Sequence, residues 1–280
     1  MMKYDLHLHT TASDGRLTPG ALVKMAQGLG LKVIAVTDHD TVGGVDEALA
    51  QARSMDGMTV VPGVEINTDL ANGELHVLGY FLDYKDGGLV TALGKIRESR
   101  VGRAEKMIEK LHALGMDVEW KRILELARGE SICRPHIAQA MLERGYVSSE
   151  REAFDKYIGR NGPAYVEREK VRPVDAVRII VAAGGIPVLA HPADIQDLDG
   201  MLKELIGAGL LGMEVYYGQY DQLTIAKLAK TAASYGLLMT GGTDYHHFED
   251  GQEVPLGTVD IPDDCVRKLF ERAHRDLKLN

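Results

Sequence analysis

Seven short apolar runs recur along the 280-residue chain: KYDLHLH, KVIAVTD, MTVVPGVEI, ELHVLGYFL, IPVLAHP, LGMEVYY and LLMTGGTD. Most lack the polar alternation of a half-exposed strand, which is the pattern of strands covered on both faces. Apolar residues at helical spacing fill several of the gaps, in ALVKMAQGLG, VDEALAQARSM, PVDAVRIIVAAGG, LDGMLKELIGAG and QLTIAKLAKTAASYG, and several of these segments close on glycine. Alternating strand and helix predict an α/β barrel. One segment departs from the alternation. From 88 to 165 only helical periodicity is found, in LVTALGKIRESRVGRAEKMIEKLHALG, WKRILELARG, RPHIAQAMLERG and SEREAFDKYIG. This reads as an all-helical insertion subdomain, leaving 1–87 and 166–280 to the barrel, with the ends of the insertion meeting at one rim.

Composition sets the class. With 45% hydrophobic and 26% charged residues the chain reads as an ordinary soluble globular protein, long enough to bury a core without disulfides. MMKYDLHLHT shows neither a basic leader nor a cleavage site, and no apolar stretch approaches the roughly 20 residues of a membrane span, so the sequence reads as cytoplasmic. Cys133 and Cys265 stand far apart and in no metal-binding spacing, which agrees with a reducing compartment and leaves any metal to nitrogen and oxygen donors. The net charge of -9 counts against a polyanionic partner only weakly, because bound divalent cations reverse the local sign of an acidic site.

The position of the potential ligands is the informative feature, because nearly every strand run carries one close to its end. His7, His9 and Asp14 follow the first run, Asp38 and His39 the second, and Glu65 ends the third; His76 lies on the fourth, His191 closes IPVLAHP, and GGTDYHH supplies Asp244 and His246. Strand side chains alternate, so His7 and His9 share one face while Leu6 and Leu8 share the other. In barrels of this type the strand ends converge on the active site, so residues spread along the chain meet there. Six imidazoles and three carboxylates, with no sulfur, suit Zn, Mn or Fe, and they exceed what one ion can use; two or three ions are expected, with Glu65 placed to bridge a pair. Taken singly the pieces have plainer readings: Asp40 or Thr41 as a helix N-cap before VGGVDEALA, His76 as a core histidine, Glu65 as a buried ion-pair partner.

The ordered set DLHLHTTASDG, TDHDTVGG, VPGVEI, HVLGYF, AHP and GGTDYH resembles the polymerase and histidinol phosphatase (PHP) family of metal-dependent phosphoesterases, over most of the chain. The resemblance implies a distorted (β/α)7 barrel with a binuclear or trinuclear site at its mouth. It implies a first metal on His7, His9, Glu65 and Asp244, a second bridged by Glu65 and held by His76 and His191, and a third on Asp14, His39 and His246, with all nine positions filled. Glu65, His191 and Asp244 are the candidate catalytic residues, in hydrolysis by a hydroxide held between the bridged metals.

RPHIA in the helical insertion resembles the stand-alone branch of the family that acts on nucleotides and oligonucleotides, with a small helical domain over the barrel mouth. Arg134 and His136 then become candidates for gripping a phosphate, with Arg160 and Arg103 behind them. The substrate expected is a phosphorylated nucleotide or short oligonucleotide, as for a nucleoside 3′,5′-bisphosphate phosphatase or a 5′-3′ oligoribonucleotide exonuclease, with no membrane and no obligate protein partner. Three rivals stand beside it. A histidinol phosphate phosphatase shares the metal set. An amidohydrolase cleaving C–N bonds also places HxH near its first strand, but no lysine stands at a strand end to be carboxylated. A non-catalytic metal-binding module is the third.

Overall fold

The computed structural model describes residues 3–70, 73–127, 131–167, 171–248 and 253–277. All seven apolar runs contain strands: β1 (Lys3–Asp5), β2 (Leu31–Val36), β3 (Thr59–Leu70), β4 (Gly73–Tyr80), β5 (Ile186–Leu189), β6 (Gly212–Tyr217) and β7 (Leu238–Gly242). They form one sheet in sequence order. The sheet curls until its edges meet, where Leu6 N donates to Gly241 O and Leu8 bridges Tyr245 in parallel. A Cβ at Gly242 would stand 2.4 Å from the His7 Cβ, so the lack of a side chain there lets the first and last strands close.

The barrel is not uniformly parallel. β3 and β4 form an antiparallel hairpin, and β4 is again antiparallel to β5, while the remaining neighbours run parallel. The reversal explains why His76 falls near the start of its strand and not at the end: the N-terminal end of β4 lies beside the C-terminal half of β3, where Asn67 pairs with His76.

Outside the strands lie α1 (Pro19–Gly28), α2 (Val45–Arg53), α7 (Pro173–Ala182), α8 (Leu198–Ala208), α9 (Gln222–Ser234) and α10 (Asp263–Arg272). The caps are those the sequence supplies. Thr18, Asp197 and Asp221 each accept a first-turn backbone N–H, and Gly209 closes α8 at φ 111°. The sequence reading passed over α10, although Val266, Leu269 and Phe270 give it a buried face. The helix expected to be capped by Asp40 or Thr41 is α2, whose N-cap position is Gly44 without a side-chain bond. Asp40, at φ 55°, instead accepts from Arg100 and from the Asn67 N–H, and Thr41 Oγ1 accepts from the Gly43 N–H.

Between β4 and α7 the described residues form α3 (Gly87–Ala113), α4 (Trp120–Ala127), α5 (Arg134–Glu143), α6 (Glu150–Ala153) and a π-helical turn over Phe154–Ile158. From Ala104 onward they pack around an apolar cluster of their own, with Met107, Leu111, Ile123, Met141 and Ile158 at its centre. Among the described residues no helix is long and apolar enough to cross a membrane.

Candidate metal centre

Two buried carboxylates build the floor of the barrel mouth. Asp38, at the end of β2, accepts from Thr10 N, Thr10 Oγ1 and Ser13 Oγ, all at 2.7 Å, and so pins the loop that delivers His9 and Asp14. Asp5, fully buried, accepts from the N–H and Oγ1 of Thr243 and from the Gly257 N–H, tying β1 to the segment that carries Asp244 and His246. Asp38 is therefore scaffold, although the sequence places it among strand-end ligands.

Onto this floor the chain brings all nine residues of the proposed metal set. Three groups of donor atoms lie within 4.8 Å of one another: His7, His9, Glu65 and Asp244; His9, Asp14, His39 and His246; and His39, Glu65 and His76. His191 joins through Glu65, at 3.3 Å. Glu65 stands at the centre with its oxygens turned opposite ways. Oε1 faces His76 Nδ1 at 2.8 Å and His191 Nε2, whereas Oε2 faces His39 Nδ1 at 2.8 Å and the Nε2 atoms of His7 and His9 at 3.3 Å. His39 belongs to two of these groups: it stands with Asp14 and His246 as expected, its Nε2 3.7 Å from Asp14, and its Nδ1 also faces Glu65.

The chemistry of these donors fits divalent cations. His7 Nε2, both His9 nitrogens, Asp14 Oδ1, His39 Nδ1, Glu65 Oε2 and Asp244 Oδ1 are buried without a hydrogen-bond partner, a costly state for polar atoms unless an ion gathers them. Burial opposes charge on His9 and His76, but the carboxylates of Asp244 and Glu65 push His9 up to about 10, and Glu65 with Glu74 raises His76 to about 9. Conversely, burial penalises the Glu65 carboxylate, and the rings of His39, His7 and His76 hold it well below its usual range. The cluster is therefore a set of anions held against imidazoles whose protons a metal would replace. At His246, Nδ1 lies 2.8 Å from the Asp244 carbonyl, which can only accept, so Nδ1 carries the proton and the Nε2 lone pair faces Asp14 Oδ1 at 3.5 Å.

Sequence reading missed Glu214. It is fully buried on β6, 3.0 Å from His7 Nδ1, and accepts from the His191 N–H at 2.8 Å. The signal that marks Glu65, a charged residue inside an apolar strand, is equally present in LGMEVYY. Tyr217, the last residue of β6, also contributes, its hydroxyl donating to Asp244 Oδ2 at 2.9 Å.

Beside the ligands lies a cavity of about 290 Å³, lined by Asp14, His39, His76 and His246 together with Arg100, Arg103 and Arg134 and the rings of Phe154 and Phe248. Arg134 Nη2 donates to both oxygens of Glu74 at 2.8 Å, and its guanidinium lies over Phe154. Of the other arginines named from sequence, Arg103 lines the cavity, whereas Arg160 is not among its lining residues and has its Nη1 3.9 Å from the Cβ position of Gly73. His136 is not among the cavity-lining residues described. Its Nδ1 accepts from the Cys133 N–H, which makes it a buried cap at the start of α5. Arg100 was not singled out in the sequence, where a helical arginine reads as surface.

This fold and these donor sets define a metal-dependent phosphoester hydrolase of the barrel class. A PHP domain model matches residues 5–86. The chain is 33% identical over 270 residues to a 3′,5′-nucleoside bisphosphate phosphatase of Chromobacterium violaceum, covering 95% of this chain and 94% of that protein. It is 34% identical over 248 residues to a 5′-3′ exoribonuclease of Haemophilus influenzae, covering 87% of this chain and 90% of the other. A crystal structure from Bifidobacterium adolescentis, described as a candidate metal-dependent phosphoesterase, superposes with a TM-score of 0.88 at 30% identity over 99% of this chain and 98% of that one. The chain belongs to the PHP family.

Proposed function

We propose that this enzyme hydrolyses phosphate esters of nucleotides, releasing phosphate from nucleoside 3′,5′-bisphosphates and nucleotides from the 5′ ends of short oligoribonucleotides. One observation carries the reading: three arginines and two aromatic rings wall the same cavity as four of the metal-site residues. Guanidinium groups match phosphate oxygens, and aromatic faces accept a base of any identity. The similarity to the bisphosphate phosphatase and the exoribonuclease supports the same substrate class.

His7, His9, Glu65 and Asp244 would hold one ion, Glu65 with His76 and His191 a second, and Asp14, His39 and His246 a third. Two or three ions of Mn, Zn or Fe would supply Lewis acidity for the attacking water and positive charge at the phosphoryl oxygens. Glu65 would serve both of the first two positions, its Oε1 facing His76 and its Oε2 facing His7 and His9. Tyr217 fixes the rotamer of Asp244. Arg134 receives a substrate phosphate: both its bonds to Glu74 run from Nη2, so the N–H groups of Nη1 and Nε are not committed to that carboxylate. Residues 88–165 act as a cap that carries the arginines over the barrel formed by 1–87 and 166–280. Cys133 and Cys265 carry no disulfide, in keeping with a cytoplasmic enzyme.

Anion-exchange analysis of products from Mn-loaded protein tests the proposal. Phosphate from a nucleoside 3′,5′-bisphosphate, or mononucleotides from a 5′-phosphorylated oligoribonucleotide, is the expected result. Inertness to both with turnover of histidinol phosphate would replace it.

A further inference from the structure

The Glu214 carboxylate is not one of the nine residues of the metal set, yet it touches residues of two different metal positions, and it does so from outside the cavity. Its Oε1 lies 3.0 Å from His7 Nδ1 and its Oε2 accepts from the His191 N–H at 2.8 Å. Neither oxygen is needed to hold the fold of β6 itself, whose backbone pairs with β5 and β7. A glutamate fully buried on an apolar strand is costly unless its oxygens are used, and here both are used on the metal set.

We infer that Glu214 is a positioning residue that couples the first and second metal positions, fixing the tautomer of His7 through one oxygen and the backbone of His191 through the other. The inference rests on the proposed roles of His7 and His191 as ligands. A carboxylate can only accept, so it selects the Nδ1–H form of His7 and leaves the Nε2 lone pair facing Glu65 and Asp244, each 3.3 Å away. At His191 the backbone has φ 26° and ψ 60°, immediately before Pro192, a conformation a β-carbon disfavours. The bond from its N–H to Glu214 helps hold that turn, and with it the direction in which the imidazole leaves the end of β5 towards Glu65.

Glutamine distinguishes this role from mere filling of space. The side chain keeps its size but has one acceptor and one donor group, whereas both its neighbours are donors. If the amide oxygen serves the His191 N–H, the NH2 faces His7 Nδ1 and selects the tautomer with its proton on Nε2, where the metal lone pair is required. If the oxygen serves His7, the NH2 opposes the His191 N–H. Either way one of the two positions is spoiled.

The test compares wild type, E214Q, H7A and H191A after loading with Zn, by metal content, by metal affinity from competition with a chelator, and by ¹⁵N NMR of the histidine rings in the zinc protein. In the wild type a hydrogen-bonded Nδ1–H on His7 is expected. E214Q is expected to bind metal about 10- to 100-fold more weakly and to lose that Nδ1–H signal. Wild-type affinity and content in E214Q, with H7A depleted, would overturn the coupling while leaving the ligand assignment intact. Undiminished metal in H7A and H191A as well would overturn the ligand assignment and the coupling together. Should E214Q not fold, the wild-type spectrum decides: a His7 proton on Nε2, or an Nδ1–H without the shift of a bond to a carboxylate, contradicts the inference, and an Nδ1–H hydrogen-bonded to a carboxylate upholds it.

Discussion

Glu65 Oε1 lies 2.8 Å from Nδ1 of His76, and the two residues reach each other because β4 runs back along β3. That oxygen, which also faces His191, is thereby turned away from His7, His9 and His39, so the carboxylate has a side for each of two positions. Replacing it by glutamine keeps its shape but removes the charge and turns one of the two oxygens into a donor. E65Q is expected to lose metal at more than one position and to lower turnover by at least about a hundredfold, a loss of roughly 3 kcal/mol in transition-state stabilisation. Metal analysis alongside phosphate release checks this; a fully loaded E65Q with normal turnover would remove Glu65 from the centre.

Arg134 makes a separate claim, on substrate and not on metal. A charge-assisted bond to phosphate contributes about 1.5–3 kcal/mol, so R134A is expected to lower kcat/KM by about 10- to 100-fold, with metal content unchanged. R134K should recover only part of it, because lysine keeps the charge but loses the planar fork. Steady-state kinetics on a nucleoside bisphosphate read the effect. A change under twofold would place the phosphate elsewhere.

Arg100 joins α3 to the turn after β2, through the buried Asp40 carboxylate. Removing one member of a buried ion pair leaves the other charge poorly compensated, and R100A is expected to cost about 3 kcal/mol of stability. Urea unfolding of the metal-loaded protein measures it. A loss below about 1 kcal/mol would mean that the neighbouring groups around Asp40 suffice.

The raised rings give a pH dependence with a definite sign. His9 is pushed up to about 10 and His76 to about 9, while both sit near 6.5 in an unfolded chain. The folded, metal-stripped protein therefore holds more protons than the unfolded chain between about pH 6.5 and 10. Its stability from these groups is complete below pH 6.5 and is lost as the pH rises through 9 to 10. Protons leaving the same rings make room for metal, so metal affinity is expected to rise over that window. Thermal unfolding of chelator-treated protein at pH 6.5 and 9.5 should show a lower Tm at the higher pH, and a higher one would refute the charge assignment.

Much of the centre was legible in the sequence because imidazoles and carboxylates at strand ends are chemically conspicuous, and a barrel brings strand ends together whatever their spacing. His7, His9 and Glu65 needed only strand periodicity to be placed. The direction of β4 was not legible, since an apolar run reads the same forwards and backwards; only the pairing of Asn67 with His76 reveals it. Glu214 escaped because it lies inside its strand and not at the end, although its burial makes it as costly as Glu65. His136 looked like a phosphate ligand, but it does not line the cavity and its Nδ1 is taken by the Cys133 N–H, a bond that depends on where α5 begins. Arg100 was not singled out because helical spacing alone does not say that another part of the chain, here the turn at Asp40, will cover it.

The most direct test of the central claim is phosphate release from a nucleoside 3′,5′-bisphosphate by protein stripped with a chelator and then reloaded with Mn, with bound metal counted per chain in the same samples and in H9A. The expected result is no turnover when stripped, recovery with two or more ions per chain, and neither binding nor recovery to that level in H9A. Equal turnover by the stripped and reloaded proteins, or full metal content in H9A, would contradict a metal centre built from these side chains.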